Sequence, residues 1–171
     1  MSILDICKAL EGSAVGLAIS ESEWMFPTIE TIHVLALTLV IGSIAMLDLR
    51  LLGVSHRDKG VLQLTEETLP WTWSAFAIAA MTGSLMFVSA ATKYYDNTPF
   101  RFKIVLLALA GLNMAIFHTT AYRGVHDWNE RLPTPTAARV AASLSLLFWI
   151  GVVVAGRWIG FVDSNGPAAP F

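Results

Sequence analysis

Four long apolar stretches constrain this chain more than any other feature of its sequence. A helix needs about 20 mostly apolar residues to cross the hydrocarbon core of a bilayer, and four segments meet that length: about 26–52, 71–92, 102–122 and 137–161. Only 14% of the residues are charged, against about 25% in soluble domains. The sequence therefore predicts an all-α integral membrane four-helix bundle, forming a single membrane domain over residues 1–162.

The two ends of the chain are predicted to differ from the spans. Over residues 2–19 apolar residues recur at helical spacing, while Asp5, Lys8 and Glu11 interrupt the run. This pattern favours a short amphipathic helix at the membrane interface over a cleaved secretory signal, with a helix packed on the soluble side as the alternative. Residues 163–171 are rich in Gly, Pro and Ala and are predicted to form a flexible tail. Four prolines are predicted to lie between spans, where helices begin or end: Pro70, Pro99, Pro133 and Pro135.

The charge pattern and the cysteine content exclude several classes of function. The formal net charge is -2, which gives no reason to expect a nucleic-acid partner. A single cysteine, Cys7, excludes an internal disulfide framework and a cysteine-bound iron–sulfur cluster built from this chain alone. Lysine and arginine are divided almost evenly between the two predicted sides, which leaves the orientation open. We expect a multi-pass protein in contact with the lipid bilayer, in the bacterial inner (cell) membrane.

The first span carries the ionisable side chains that most strongly indicate function. Glu30, His33, Asp48 and Arg50 all fall within it, and such groups are costly in hydrocarbon unless they face the bundle or a cavity. Glu30 and Asp48 are an integral number of helical turns apart and His33 lies close to the same line. One inward face is therefore predicted to hold two carboxylates and an imidazole, with Glu30 orienting or charging His33. Asp48 and Arg50 are alternatively explained by snorkelling or pairing at the interface.

Histidines are the candidate cofactor ligands. His33 is expected about 10 Å below one surface, whereas His118 ends the third span near the other surface, so the two cannot easily bind one iron within a monomer. Two sites are predicted, the first using His33 with the sulfur of Met86. The second would use His118 with a ligand from the same end of the bundle: His56, His126 or Met46. Haem iron and copper both accept imidazole and thioether ligands, and a second subunit is another source of a ligand.

Small residues recur along the predicted spans and indicate where helices approach closely. They also leave room for a flat cofactor, which is the alternative interpretation. The positions are Gly42 in the first span, Gly83 and several alanines in the second, Gly111 in the third and Gly151 in the fourth.

The first span resembles a known group of proteins. The segments 32–36 (IHVLA), 41–43 (IGS) and 47–53 (LDLRLLG) resemble the first helix of small bacterial multi-pass membrane proteins of uncharacterised function. They are also distantly similar to the membrane domains of copper-resistance D-type proteins and of four-helix b-type cytochromes, which share an early histidine followed about nine residues later by glycine. The resemblance implies haem or copper handling through His33 and His118. The second and fourth spans contain no histidine, which departs from bis-histidine ligation within one subunit.

The leading hypothesis is a membrane-embedded redox subunit. It would bind b-type haem, or another metal cofactor such as copper, and pass electrons to or from a quinone or a partner redox protein. If the protein is an enzyme, it is an oxidoreductase component whose cofactor carries the chemistry, and it is expected to form a homo- or hetero-oligomer. Two alternatives are a structural accessory subunit of a larger complex and a proton- or metal-handling transport protein. The transport alternative would use Glu30, His33 and Asp48, but no inverted repeat is visible.

Overall fold

The fold consists of helices joined by short connections. The computed structural model describes residues 2–130 and 133–162, within which no strand occurs. Two short 3-10 turns, Ala121–Gly124 and Ile159–Phe161, accompany the α-helices. These are α1 (Ile3–Glu11), α2 (Ala14–Ser20), α3 (Met25–Leu51), α4 (Val61–Ser89), α5 (Ala91–Asp96), α6 (Thr98–Thr119), α7 (Val125–Trp128) and α8 (Thr136–Trp158). The predicted tail, 163–171, lies outside the described residues.

Four helical stretches are long and apolar enough to cross a membrane. They are Met25–Leu51, Val61–Ser89, Thr98–Trp128 and Thr136–Phe161. Many large apolar side chains on these helices are exposed, including Leu35, Phe102 and Leu147, which is the expected surface of a bundle whose solvent is lipid. The prediction of an all-α integral membrane four-helix bundle in contact with the bilayer is confirmed.

Two predicted helix boundaries are wrong. The second span begins at Val61 rather than near Trp71, and Pro70 lies inside α4. Pro70 and residue 66, whose carbonyl loses its helical donor, are both exposed, so the proline is accommodated where its ring displaces no packed neighbour. The predicted helix over 2–19 is divided in two, because the Ser13 hydroxyl caps the start of α2 by accepting a hydrogen bond from the Gly16 amide.

The bundle is built from two helix pairs. α3 packs along α4, α6 packs along α8, and contacts between α3 and α8 join the two pairs. α4 and α6 lie farther apart, and at one end of the bundle the Phe87 ring of α4 stacks on the Phe100 ring of α6 with centroids 5.6 Å apart. The short helices α1 and α2 pack on α4 and α5, where the Glu11 carboxylate accepts hydrogen bonds from the Thr92 amide and hydroxyl at 2.8 and 2.6 Å. Away from this aromatic contact, the wider spacing of α4 and α6 leaves a cleft in one side of the bundle.

Glycines set the close approach within each pair. A Cβ on Gly83 of α4 would lie 3.0 Å from His33 Cε1, and one on Gly151 of α8 would lie 2.9 Å from Leu106 Cδ1. These two glycines therefore act as predicted, by admitting a side chain of the neighbouring helix. Gly42 and Gly111 differ, because a Cβ at either position would meet no atom within 4 Å.

A buried arginine fastens one end of the bundle. Arg50 is 0% exposed, and its Nε and Nη2 donate hydrogen bonds to the carbonyls of Lys59 at 2.6 Å and Asn129 at 3.2 Å. The Asn129 side chain accepts in turn from the Leu62 amide at 2.8 Å. The expectation that Arg50 snorkels or pairs at the interface is wrong: the buried guanidinium donates to two loop carbonyls, of which that of Asn129 also accepts from the Val61 amide at 3.1 Å.

Candidate functional site

The cleft between α4 and α6 holds a cavity of about 250 Å³. Side chains of α3 and α8 form its inner wall. Exposed residues of α4 and α6 flank its mouth: Trp73 and Phe76 on α4, Met114 and His118 on α6. Most of the lining is aliphatic or aromatic, with a few polar groups among it. Concave, mostly apolar sites with a few placed polar groups are typical of small-molecule binding.

Asp48 is the charged group of the inner wall. It lies in the last turn of α3, is 6% exposed and lines the cavity. The Ser145 side chain of α8 hydrogen bonds to its carboxyl, but Oδ2 has no hydrogen-bond partner among the described residues. A buried carboxylate oxygen without a donor is strongly unfavourable. Asp48 is therefore a buried polar group that a ligand in the cavity would meet.

His118 lies at the mouth of the same cavity, and one of its ring nitrogens makes a hydrogen bond within α6. Its Nδ1 is 2.9 Å from the Met114 carbonyl oxygen. Because a carbonyl can only accept, Nδ1 carries the hydrogen, and in the neutral ring Nε2 has a free lone pair. The ring is placed by aromatic contacts, with centroids 5.4 Å from Phe117 and 5.0 Å from Tyr122. His118 thus presents a fixed hydrogen-bond acceptor beside the cavity.

His33 does not line this cavity, and it precedes the first cavity residue of α3, Val40, by about two helical turns. Its Nδ1 is 2.9 Å from the Thr82 hydroxyl, and that hydroxyl is 2.7 Å from the Ile78 carbonyl, to which it donates. The hydroxyl is also 3.2 Å from the Ala79 carbonyl; we predict that it donates to these carbonyls and accepts from His33 Nδ1–H, the tautomer in which Nε2 is the acceptor nitrogen. Met86 follows Thr82 by one turn of α4 and is half-buried. Within one chain, the structure does not bring His33 to the cavity that His118 borders.

Removing the Thr82 hydroxyl should release the His33 ring. The substitution Thr82→Val keeps the side-chain shape but removes the acceptor, and the loss of this hydrogen bond should destabilise the protein by about 1–2 kcal/mol. Nitrogen-15 NMR of the imidazole should show His33 changing from one tautomer to a mixture, with the His118 signals unchanged. Thr38→Val, which removes an exposed hydroxyl bonded only to the Val34 carbonyl, is the control. An unaltered His33 tautomer in Thr82→Val would contradict the assignment.

The remaining predicted site residues occupy separate places. His56 lies in the loop after α3 with φ 50°, its Nδ1 3.0 Å from the Ser55 hydroxyl, and His126 is exposed on α7. Glu30 is exposed rather than inward-facing. Burial, and secondarily the Glu30 charge, raises the pKa of the Tyr94 phenol. Within residues 2–130 and 133–162, no group of three or more His, Cys, Asp or Glu side chains is arranged to hold a metal ion.

Sequence reasoning missed several polar residues that belong to the cavity, and two of them lie close to the predicted site residues in the chain or in space. Asn113 of α6 and Ser145 of α8 line it together with Asp48, and Asn113 Nδ2 donates to the Ala141 carbonyl at 2.9 Å. Both are polar residues within apolar spans, so the argument that singled out Asp48 could have found them. The cavity itself has no sequence signal, since it depends on the distance between α4 and α6.

Fold and site together define a four-helix integral membrane protein with a cavity that opens sideways between α4 and α6. The chain belongs to a family of unknown function, DUF6644, whose model matches residues 13–162. This confirms the expected membership of a family of uncharacterised function. No curated protein and no solved structure matches the chain, and no similarity to copper-resistance D-type or cytochrome domains is shown.

Proposed function

We propose that this protein is a membrane-embedded redox subunit that binds a lipid-soluble quinone in the α4–α6 cavity, where the quinone and a partner redox protein exchange electrons, one being reduced as the other is oxidised. The observation that supports the proposal is the combination of Asp48 and His118 on one apolar cavity open to the bilayer. A quinone head group has oxygens at opposite ends of its ring, and its reduced form carries a hydroxyl at each. Two polar groups at separate positions around an apolar slot suit such a head group.

The size of the cavity favours a one-ring head group. At about 250 Å³ it is slightly smaller than typical small-molecule pockets of about 300–1,000 Å³, and a tetrapyrrole macrocycle needs more room than a benzene-sized ring. The isoprenoid tail of a quinone would not have to fit inside. It would leave through the mouth between Trp73 of α4 and Met114 of α6, both exposed towards lipid.

A haem held by two histidines of one chain does not fit these residues. His33 and His118 each present a free Nε2, but they lie at different depths and the structure does not bring them together. Haem b or copper bound at either histidine would need a further ligand from a second chain. That chain would be either a second copy in the expected oligomer or the partner redox protein. We place the protein in the bacterial inner membrane, where lipid-soluble quinones are available to such a subunit.

Blocking the cavity tests the proposal. The purified protein in lipid nanodiscs, titrated with a short-tailed benzoquinone, should show saturable quenching of tryptophan fluorescence, because Trp73 and Trp149 line the cavity. Gly111→Phe should abolish the saturable phase, since Gly111 lines the cavity and faces open space. Gly42→Phe, also at an open position but outside the lining, should bind like the wild type. Linear, non-saturable quenching in all three proteins would contradict the proposal.

A further inference from the structure

We infer that the α4–α6 cavity recognises the reduced, hydroxyl-bearing quinol in preference to the quinone, with the ionised form of Asp48 accepting a hydrogen bond from one quinol hydroxyl. The inference rests on the proposed function and adds which redox form the site takes. The evidence is the set of hydrogen bonds that the polar side chains around the cavity already make. These bonds decide which side chains can still donate a hydrogen to a ligand and which can only accept one.

The hydroxyls that α3 and α4 contribute to the cavity have already donated their hydrogens. Ser43 donates to the Val40 carbonyl at 3.0 Å, and Thr72 lies 2.7 Å from the Ser43 oxygen and 2.9 Å from the Thr68 carbonyl. Thr65 and Thr68 each donate to the carbonyl one turn earlier, both at 2.8 Å. A hydroxyl has a single hydrogen. Towards a ligand, these side chains can therefore act only as acceptors.

The stronger polar groups of the cavity are also acceptors. Asp48 Oδ2 is buried without a partner, and the Ser145 hydroxyl is engaged with the same carboxyl. His118 Nδ1–H donates to the Met114 carbonyl. In the neutral ring, Nε2 is therefore an acceptor. The lining thus offers a carboxylate oxygen, an imidazole nitrogen and several hydroxyl oxygens, all of which require a hydrogen from the ligand.

Donors in the wall are few and belong mainly to aromatic rings. The indoles of Trp73 and Trp149 and the phenol of Tyr122 line the cavity, and of these three only Trp149 is buried. Asn113 uses one amide hydrogen on the Ala141 carbonyl. A quinone, which has acceptor oxygens only, would leave Asp48 Oδ2 unsatisfied and would place a carbonyl oxygen against it. A quinol would satisfy that oxygen, and hydrogen bonds to charged groups are the stronger ones in proteins.

Three ring compounds of nearly equal shape separate these alternatives. Duroquinol has two hydroxyls, duroquinone has two carbonyls, and the dimethyl ether of duroquinol keeps the reduced ring without a donor. Calorimetric titration of the nanodisc-embedded protein under anaerobic conditions should show duroquinol binding roughly tenfold to a hundredfold more tightly than either of the others. The ether distinguishes recognition of the hydroxyl hydrogen from recognition of the ring's oxidation state.

Variants of Asp48 assign the preference to one side chain. Asp48→Leu should reduce duroquinol affinity to that of duroquinone, and Asp48→Asn should weaken the preference or reverse it, because its amide can donate to a quinone carbonyl. Ser143→Ala removes an exposed hydroxyl of α8 bonded to the Arg139 carbonyl and should leave all affinities unchanged. A thermal melt of each variant, performed without ligand, separates loss of recognition from loss of fold.

The outcomes distinguish the two proposals. Equal affinity for duroquinol and duroquinone, or a preference that survives in folded Asp48→Leu, overturns the quinol inference and leaves the proposed function in place. Absence of saturable binding by any ring compound, in the wild-type protein, removes the proposed function and the inference together. Tighter binding of the quinone would reverse the inferred selectivity while supporting a quinone site.

Discussion

Replacing Arg50 by alanine is expected to destabilise the bundle by about 3–5 kcal/mol, because two charge-assisted hydrogen bonds from a buried guanidinium are lost and each contributes about 1.5–3 kcal/mol. The carbonyls are those of Lys59 and Asn129; the Val61 and Leu62 amides keep their bonds to Asn129, so the loss is expected to loosen the attachment of α3 to these segments. Equilibrium unfolding in mixed detergent micelles, by titration with sodium dodecyl sulfate, measures the change. Arg50→Lys should recover only part of the stability, since an ammonium cannot make the forked contact.

Arg57→Ala is the control for this experiment. Arg57 is exposed in the same loop, so its removal changes the charge of the loop while leaving both carbonyls bonded to Arg50. We expect the Arg57 variant to unfold within about 0.5 kcal/mol of the wild type. If Arg50→Ala lowered the free energy of unfolding as little as Arg57→Ala, the two hydrogen bonds of the Arg50 guanidinium would not stabilise this end of the bundle.

Gly151→Leu should give the second large loss of stability, about 1–3 kcal/mol from overpacking of a close helix contact. Even a Cβ at position 151 would lie 2.9 Å from Leu106 Cδ1, so a leucine would push α6 and α8 apart. The same detergent titration measures this effect, and cysteine cross-linking between α6 and α8 would report the separation directly.

The matched substitution at an open position is Gly42→Leu. Nothing lies within 4 Å of a Cβ there, and replacing a helical glycine by leucine favours the helix by several tenths of a kcal/mol. We therefore expect Gly42→Leu to be neutral or slightly stabilising. Equal destabilisation by both substitutions would show that the effect comes from side-chain size in lipid rather than from contact with Leu106.

Sequence reasoning recovered the spans because the length of an apolar segment is fixed by the thickness of the bilayer. The exact helix ends depend instead on local capping and on which faces of a helix are exposed. Pro70 was expected to end a helix, yet its ring lies on an exposed face and α4 continues through it. The break between α1 and α2 depends on the Ser13 cap, a local signal that the apolar periodicity of residues 2–19 concealed.

The candidate site was predictable one residue at a time but not as an arrangement. Asp48 and His118 each stood out as polar groups in apolar spans, and the structure places both on one cavity. Their association depends on α4 and α6 remaining apart, which follows from tertiary packing. Glu30 shares the helical phase of Asp48 but is exposed, because phase alone does not say where along its length a helix has a neighbour.

The open seam between α4 and α6 determines how a ligand would reach Asp48. A hydrophobic ligand dissolved in the membrane diffuses in two dimensions and is concentrated there by partitioning, so it arrives at the seam without passing through water. Occupancy then depends on the mole fraction of ligand in the bilayer rather than on its aqueous concentration. An affinity measured in one lipid environment therefore transfers to another only after it is expressed per lipid.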